Sequence, residues 1–183
     1  LLARLLGKRI FLDIDDIDWG YFPPGLRLNI SRFFFNRLPK YFEVITCHTE
    51  RLRQHIINDL RIPEKQVYFL KQGVSDIFLD YDIAKKPQSI PKSIVYAATL
   101  GITSDFGDVL PVLAHVCKAH PDCIVTIVGD GIRREEFEKT AARLGIARNM
   151  RFLGRVRHEQ LPEILANNWI GLNYMKPSFT NNC

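Results

Sequence analysis

Three carboxylates, Asp13, Asp15 and Asp16, stand within four positions directly after the apolar run Ile10-Phe11-Leu12. Open α/β sheets expose their active sites at the C-terminal ends of strands, and acids this close attract a cation or hold a proton at raised pKa. The other reading of the same residues is an acidic turn that caps the following segment.

A second candidate is the apolar stretch Ile124 to Val128, which runs into Gly129-Asp130-Gly131 just before a charged, helix-forming segment. Glycines let a backbone approach a phosphate or ribose closely, and the N–H groups and positive dipole end of the next helix favour an anion. The same strand, turn and helix is also how any doubly wound domain turns a corner. A dinucleotide fingerprint is disfavoured, because its third glycine would fall on Arg134. Asp130 is placed to accept a ribose hydroxyl or to cap the helix, the second being the commoner job.

Other groups carry less. Arg27, Arg32, Arg37 and Lys40 surround Phe33-Phe34-Phe35, a pattern open to a membrane-surface helix or to core packing with a solvated basic rim. Three adjacent residues on a helix cannot share one face, which favours core packing. His48, His55, His115, His120 and His158 show no metal-ligand spacing and read as neutral surface or capping residues. No Ser/His/Asp set or G-x-S-x-G elbow is present.

The elements that must position these groups alternate regularly. Strand candidates are Arg9 to Ile14, Glu43 to Cys47, Val67 to Leu70, Ser93 to Ala98, Ile124 to Val128, Arg151 to Leu153 and Trp169 to Tyr174, with helical stretches between them. Thr49 is placed to cap the helix carrying Leu52, Ile56 and Leu60. A later helix has Val109, Val112, Leu113 and Val116 on one face, with Pro111 in its first turn. This alternation predicts parallel α/β sheets in two Rossmann-like domains, residues 1–80 and 93–183, joined by a polar linker at 81–92.

With 183 residues, 46% of them hydrophobic, the chain can bury a substantial core. Its net charge of +5 suits an anionic ligand or membrane surface, but the basic residues are too dispersed for a nucleic-acid tract. Cys47, Cys117, Cys123 and Cys183 form no C-x-x-C pair and read as reduced core thiols, which points to the cytoplasm. No apolar run approaches the roughly 20 residues of a membrane span. The first residue is Leu and the chain ends on Asn-Asn-Cys, so a piece of a longer protein is expected.

Read together, several stretches resemble the retaining, nucleotide-sugar-dependent glycosyltransferases of the two-Rossmann-domain (GT-B) type, family 4. They are Phe42 to Arg53, Val67 to Phe78 with Lys71-Gln72-Gly73-Val74, Ile94 to Gly107, Ile124 to Gly131, Asn149 to Val156 and Leu161 to Tyr174. The resemblance implies transfer of a sugar from a nucleotide sugar to a saccharide, lipid-linked or small-molecule acceptor, with no metal cofactor. It makes the first domain the end of the acceptor side and the second most of the donor side. Donor contacts would come from Thr99, Gly101, Phe106, Gly107, Gly129, Asp130, Gly131, Gly154, Arg155 and Val156, and the catalytic positions would be Asp15 and Asp16. The family's phosphate-holding arginine and lysine fall near Thr99 and Phe106, beside Asp105, and its glutamate pair would lie past Cys183, so the fragment alone is expected to be inactive. Loss of those cations also fits a non-catalytic binding or partner subunit. The opening acids further resemble the start of haloacid-dehalogenase-type phosphatases, with Asp13 as nucleophile and Asp15 as acid/base.

Overall fold

The computed structural model describes residues 5–15, 17, 22–81, 90–101 and 104–175. These divide into two compact units, one built from residues up to Gly73 and one beginning at Val74. Most of the expected linker, residues 82–89, lies outside the described residues, as does Asp16.

In the first unit, strands β1 (Phe11–Ile14), β2 (Val44–Cys47) and β3 (Val67–Phe69) form a parallel sheet in that order. Parallel neighbours need a crossover, and helices α1 (Leu26–Arg37) and α2 (Glu50–Asn58) supply the two. Thr49 caps α2 as expected, its hydroxyl accepting from the Leu52 amide at 3.0 Å. Leu52 and Ile56 then fall on the buried face, where they pack with Ile14, Ile45, Cys47 and Val67.

Helix α1 departs from the core-packing expectation. None of its residues is buried, and Phe33 and Phe34 are half exposed. Of the three phenylalanines only Phe35 turns inward, packing against the core cluster and stacking on His55.

The second unit opens with a short helix, α3 (Asp76–Leu79), whose Phe78 ring meets His158 edge-on at 5.5 Å between centroids. Strands β4 (Ile90–Ala97), β5 (Ile124–Val128), β6 (Met150–Gly154) and β7 (Asn168–Leu172) form a parallel sheet in the order β6-β5-β4-β7. Helices α4 (Phe106–Ala119), α5 (Arg134–Arg143) and α6 (Leu161–Ala166) link them.

Helix α4 begins earlier than Pro111 predicts. Its buried residues are Phe106, Val109, Leu110, Leu113, Ala114 and Cys117, an unbroken i, i+3, i+4 series that reaches back past the proline. Proline removes one helical hydrogen bond, but burial of Phe106 and Leu110, both fully inaccessible, outweighs that loss. The same phase turns Val112 outward, 61% exposed, against the expected face.

Cys47, Cys117 and Cys123 are unbridged and buried, as read from the sequence. Desolvation raises all three thiols, Cys117 up to about 11.

Candidate functional site

Two groups of residues collect at strand C-terminal ends, one in each unit. In the first unit the register pairs Asp13 with Thr46 and Ile14 with Cys47, so residues just beyond are brought side by side: Asp15 after β1 and His48 after β2. The Thr46 hydroxyl donates to Asp13 Oδ1. His48 Nε2 lies 3.3 Å from Asp13 Oδ2 and 4.0 Å from Asp15 Oδ1, while its Nδ1 lies 2.8 Å from the Leu70 carbonyl oxygen. The Gln72 amide donates to Asp15 Oδ1 at 3.0 Å.

Acceptor chemistry favours the protonated form of that ring. A carbonyl only accepts, so Nδ1 carries a proton, and the carboxylates facing Nε2 call for a second one. The His48 pKa is raised by the Asp13 hydrogen bond first and the Leu70 carbonyl second. Asp13 is correspondingly lowered, by Thr46 first and then His48. His48 is thus a largely covered ring, 15% exposed, that bridges Asp13 and the Leu70 carbonyl, where the sequence suggested a surface or capping residue. Both carboxylates reach solvent: Asp13, which meets Thr46 and His48, is 60% exposed, and Asp15, which accepts from Gln72, is 69% exposed. Among the described residues no group of three or more His, Cys, Asp or Glu is placed to hold a metal ion.

In the second unit a cleft of about 360 Å³ opens at the ends of β4, β5 and β6, within the size range of small-molecule sites. Thr99, Gly129, Asp130, Arg155 and Val156, all singled out from the sequence, line it together with Ala97, Ala98, Val128 and Leu161. Its walls are mostly apolar, and its cation is the exposed Arg155.

The glycines work differently from the sequence reading. A Cβ on Gly129, which has φ +128°, would sit 1.9 Å from the Ala98 carbonyl oxygen, and one on Gly131 would sit 2.3 Å from that of Leu100. Each is glycine because two loops run against each other there. Backbone hydrogen bonds tie the loops: Ala98 N to Val128 O, Leu100 N to Asp130 O, Arg133 N to Leu100 O, and Gly129 N to Gly154 O. The Gly131 amide donates to Asp130 Oδ1 at 2.8 Å, and Arg134 N to Gly131 O. The amides of Gly129, Gly131, Arg133 and Arg134 are thus bonded within the protein. Gly129 and Asp130 form part of the cleft wall.

Arg134 stands where a dinucleotide fingerprint would have glycine, and its guanidinium reaches Glu138 at 2.8 Å, Asp130 at 3.6 Å and the Phe152 carbonyl at 3.3 Å. The neighbouring Arg133 makes two bonds to Glu136, donates to the Ser104 carbonyl and lies over the Phe137 ring. Gly154, at φ +73°, leaves room for Arg134, since a Cβ there would come within 3.2 Å of its Nη1. Gly101 and Gly107 do not line the cleft; Gly107 packs by Phe137 and Arg133. Phe106 is fully buried between Tyr96 and Phe137, with centroids 4.6 and 5.4 Å away, and cannot touch a ligand in the cleft.

Parallel sheets flanked by helices, with side chains gathered at the strand C-terminal ends, place the chain among α/β proteins of the GT-B glycosyltransferase architecture. The chain belongs to the glycosyl transferases group 1 family, whose model matches residues 81–172, half of the sequence. No curated protein sequence matches it. Among solved structures, HepE from Anabaena in complex with UDP superposes with TM-score 0.68 at 13% identity, covering 92% of this chain and 47% of that one. A TarM variant from S. aureus, in complex with fondaparinux, alpha-GlcNAc-glycerol and UDP, gives 0.66 at 12% identity, with 92% and 34% covered. WaaG, a glycosyltransferase involved in lipopolysaccharide biosynthesis, gives 0.60 at 17% identity, with 85% and 44% covered. The chain thus spans between a third and a half of these structures.

Proposed function

We propose that this chain is part of a retaining family 4 glycosyltransferase that moves a sugar from a nucleotide sugar to a saccharide, lipid-linked or small-molecule acceptor. The observation that carries the reading is the cleft at Thr99, Gly129, Asp130, Arg155 and Val156, which joins residues from three strand ends into one apolar wall with a single cation. A nucleoside fits that chemistry: its base needs flat apolar contact, and Arg155 is available to the charged end of the donor. UDP is the nucleotide to test first, since HepE and TarM were both solved with it.

The nucleotide sugar is a substrate in this reading, and no resident cofactor is assigned. Asp15 is the acceptor-side carboxylate in this reading, standing just beyond the end of β1 and 69% exposed. The buried, unbridged thiols favour a cytoplasmic location.

The test is transfer by the full-length protein. A panel of nucleotide sugars should include one that releases nucleoside diphosphate and yields a product of the donor's anomeric configuration. An inverted product, or no turnover of any common donor, contradicts the proposal.

A further inference from the structure

A cavity of about 470 Å³ opens in the first unit beside the carboxylate cluster, within the size range of small-molecule sites. Leu12 and Ile14 of β1, Phe34 and Phe35 of α1, Leu38 just after that helix and Phe42 ahead of β2 make most of its wall. Its polar lining is Asp13, Asp15 and Ser31, and among the described residues no lysine, arginine or histidine lines it.

The lining is ordered along the strand. Asp13 and Asp15 stand at the C-terminal end of β1, by His48 and Gln72. Leu38 and Phe42 stand toward its other end, since the Glu43 amide donates to the carbonyl of Ile10, just ahead of β1, at 3.1 Å. One end of the cavity therefore accepts hydrogen bonds and the other offers apolar contact.

That order selects among ligands. A free saccharide carries hydroxyls on every side and would leave some of them unpaired along Phe34, Leu38 and Phe42. A phosphate or diphosphate beside the sugar would meet two carboxylates with no cation in the lining to offset them. A neutral sugar on an apolar aglycone satisfies both ends, its hydroxyls donating to the carboxylates and its aglycone covered by the aromatic wall.

Resting on the glycosyl-transfer reading, we infer that this cavity is the acceptor subsite and that it takes a neutral glycoside with an apolar aglycone. The hydroxyls of the acceptor donate to Asp15, and the aglycone lies along Phe34, Leu38 and Phe42. Of the acceptor classes named above, free saccharides and sugars on a lipid diphosphate are thereby disfavoured.

Binding without turnover tests it, by calorimetric titration of the full-length protein with methyl, hexyl and phenyl glucosides and with hexyl phosphate. The hexyl and phenyl glucosides should bind at least about tenfold more tightly than methyl glucoside, through added apolar contact, and hexyl phosphate more weakly than hexyl glucoside. Phe34 and Leu38 are 50% and 38% exposed, so Phe34→Ser with Leu38→Ser should remove the preference for hexyl over methyl while leaving the circular dichroism spectrum unchanged. Equal binding of the methyl and hexyl glucosides, binding of neither, tighter binding of hexyl phosphate, or a preference that the double substitution leaves in place overturns the inference. The two readings fail separately. Glycosylation of methyl and hexyl glucosides with equal KM overturns the apolar subsite and keeps glycosyl transfer, whereas the expected binding pattern with no nucleotide sugar turned over supports the subsite and overturns the transfer.

Discussion

His48 Nε2 lies 3.3 Å from Asp13 Oδ2, and the two residues stand at the C-terminal ends of neighbouring strands. The contact links the ends of all three strands of the first unit, since the same ring reaches the Leu70 carbonyl after β3. Asp13 and Asp15 both stay open to solvent, 60% and 69% exposed.

The pH dependence of that contact has a definite sign. His48 is raised above its ordinary value of 6.5, so its stabilising effect is complete below that pH and lost as pH rises through the folded-state pKa. Asp13 is lowered below 3.8, so its effect is complete above that pH and lost as pH falls through its folded-state pKa. The pair is fully formed between about pH 4 and 6.5. A proton NMR titration should show His48 titrating above 6.5, and Asp13→Asn should move it down. Titration at or below 6.5 would contradict the raised pKa of His48.

The glycine contacts predict a stability loss. Gly129→Ala and Gly131→Ala each drive a methyl group against a backbone carbonyl, at 1.9 and 2.3 Å in the undistorted backbone. Each should cost about 1–3 kcal/mol, as expected for overpacking, by urea denaturation. Gly101→Ala, whose Cβ would make only an ordinary contact at 3.7 Å with Thr99, should be nearly neutral.

Phe106 separates a core role from a ligand role. Phe106→Ala should cost about 3–5 kcal/mol by loss of a fully buried ring. Phe106→Lys, which places a cation where the family resemblance locates one, should destabilise at least as much, because an ammonium would be buried without a partner. A stable Phe106→Lys protein with improved nucleotide affinity would contradict the placement of this residue.

The buried thiols should be inert. With Cys117 pushed up to about 11 by burial and Cys123 also raised, neither should react with Ellman's reagent at pH 8 in the native protein, and both should react once denatured.

Much of this was legible in the chain. The strand and helix alternation, the Thr49 cap and the turn at Gly129 and Asp130 follow from local patterns, because each depends on neighbours in sequence, whereas Thr99, Arg155 and Val156 were pointed to by the family resemblance. What the sequence hid depends on register and packing. His48 meets Asp13 only because β1 and β2 pair with Ile14 opposite Cys47. The glycines of Gly129-Asp130-Gly131 looked like room for a phosphate, whereas the space is filled by the Ala98 to Leu100 backbone. Phe106 looked like a loop residue because Pro111 suggested a later helix start, and burial set the start instead.

The central claim, that the cleft at Arg155 and Val156 holds the donor nucleotide, is tested most directly by calorimetric titration of the chain with UDP, GDP and ADP. Saturable binding of at least one is predicted, weakened about tenfold by Arg155→Ala through loss of one charged contact and unaffected by Lys92→Ala, whose ammonium pairs with Asp122 at 2.8 Å. No binding of any of the three, or binding that Arg155→Ala leaves unchanged, would contradict it.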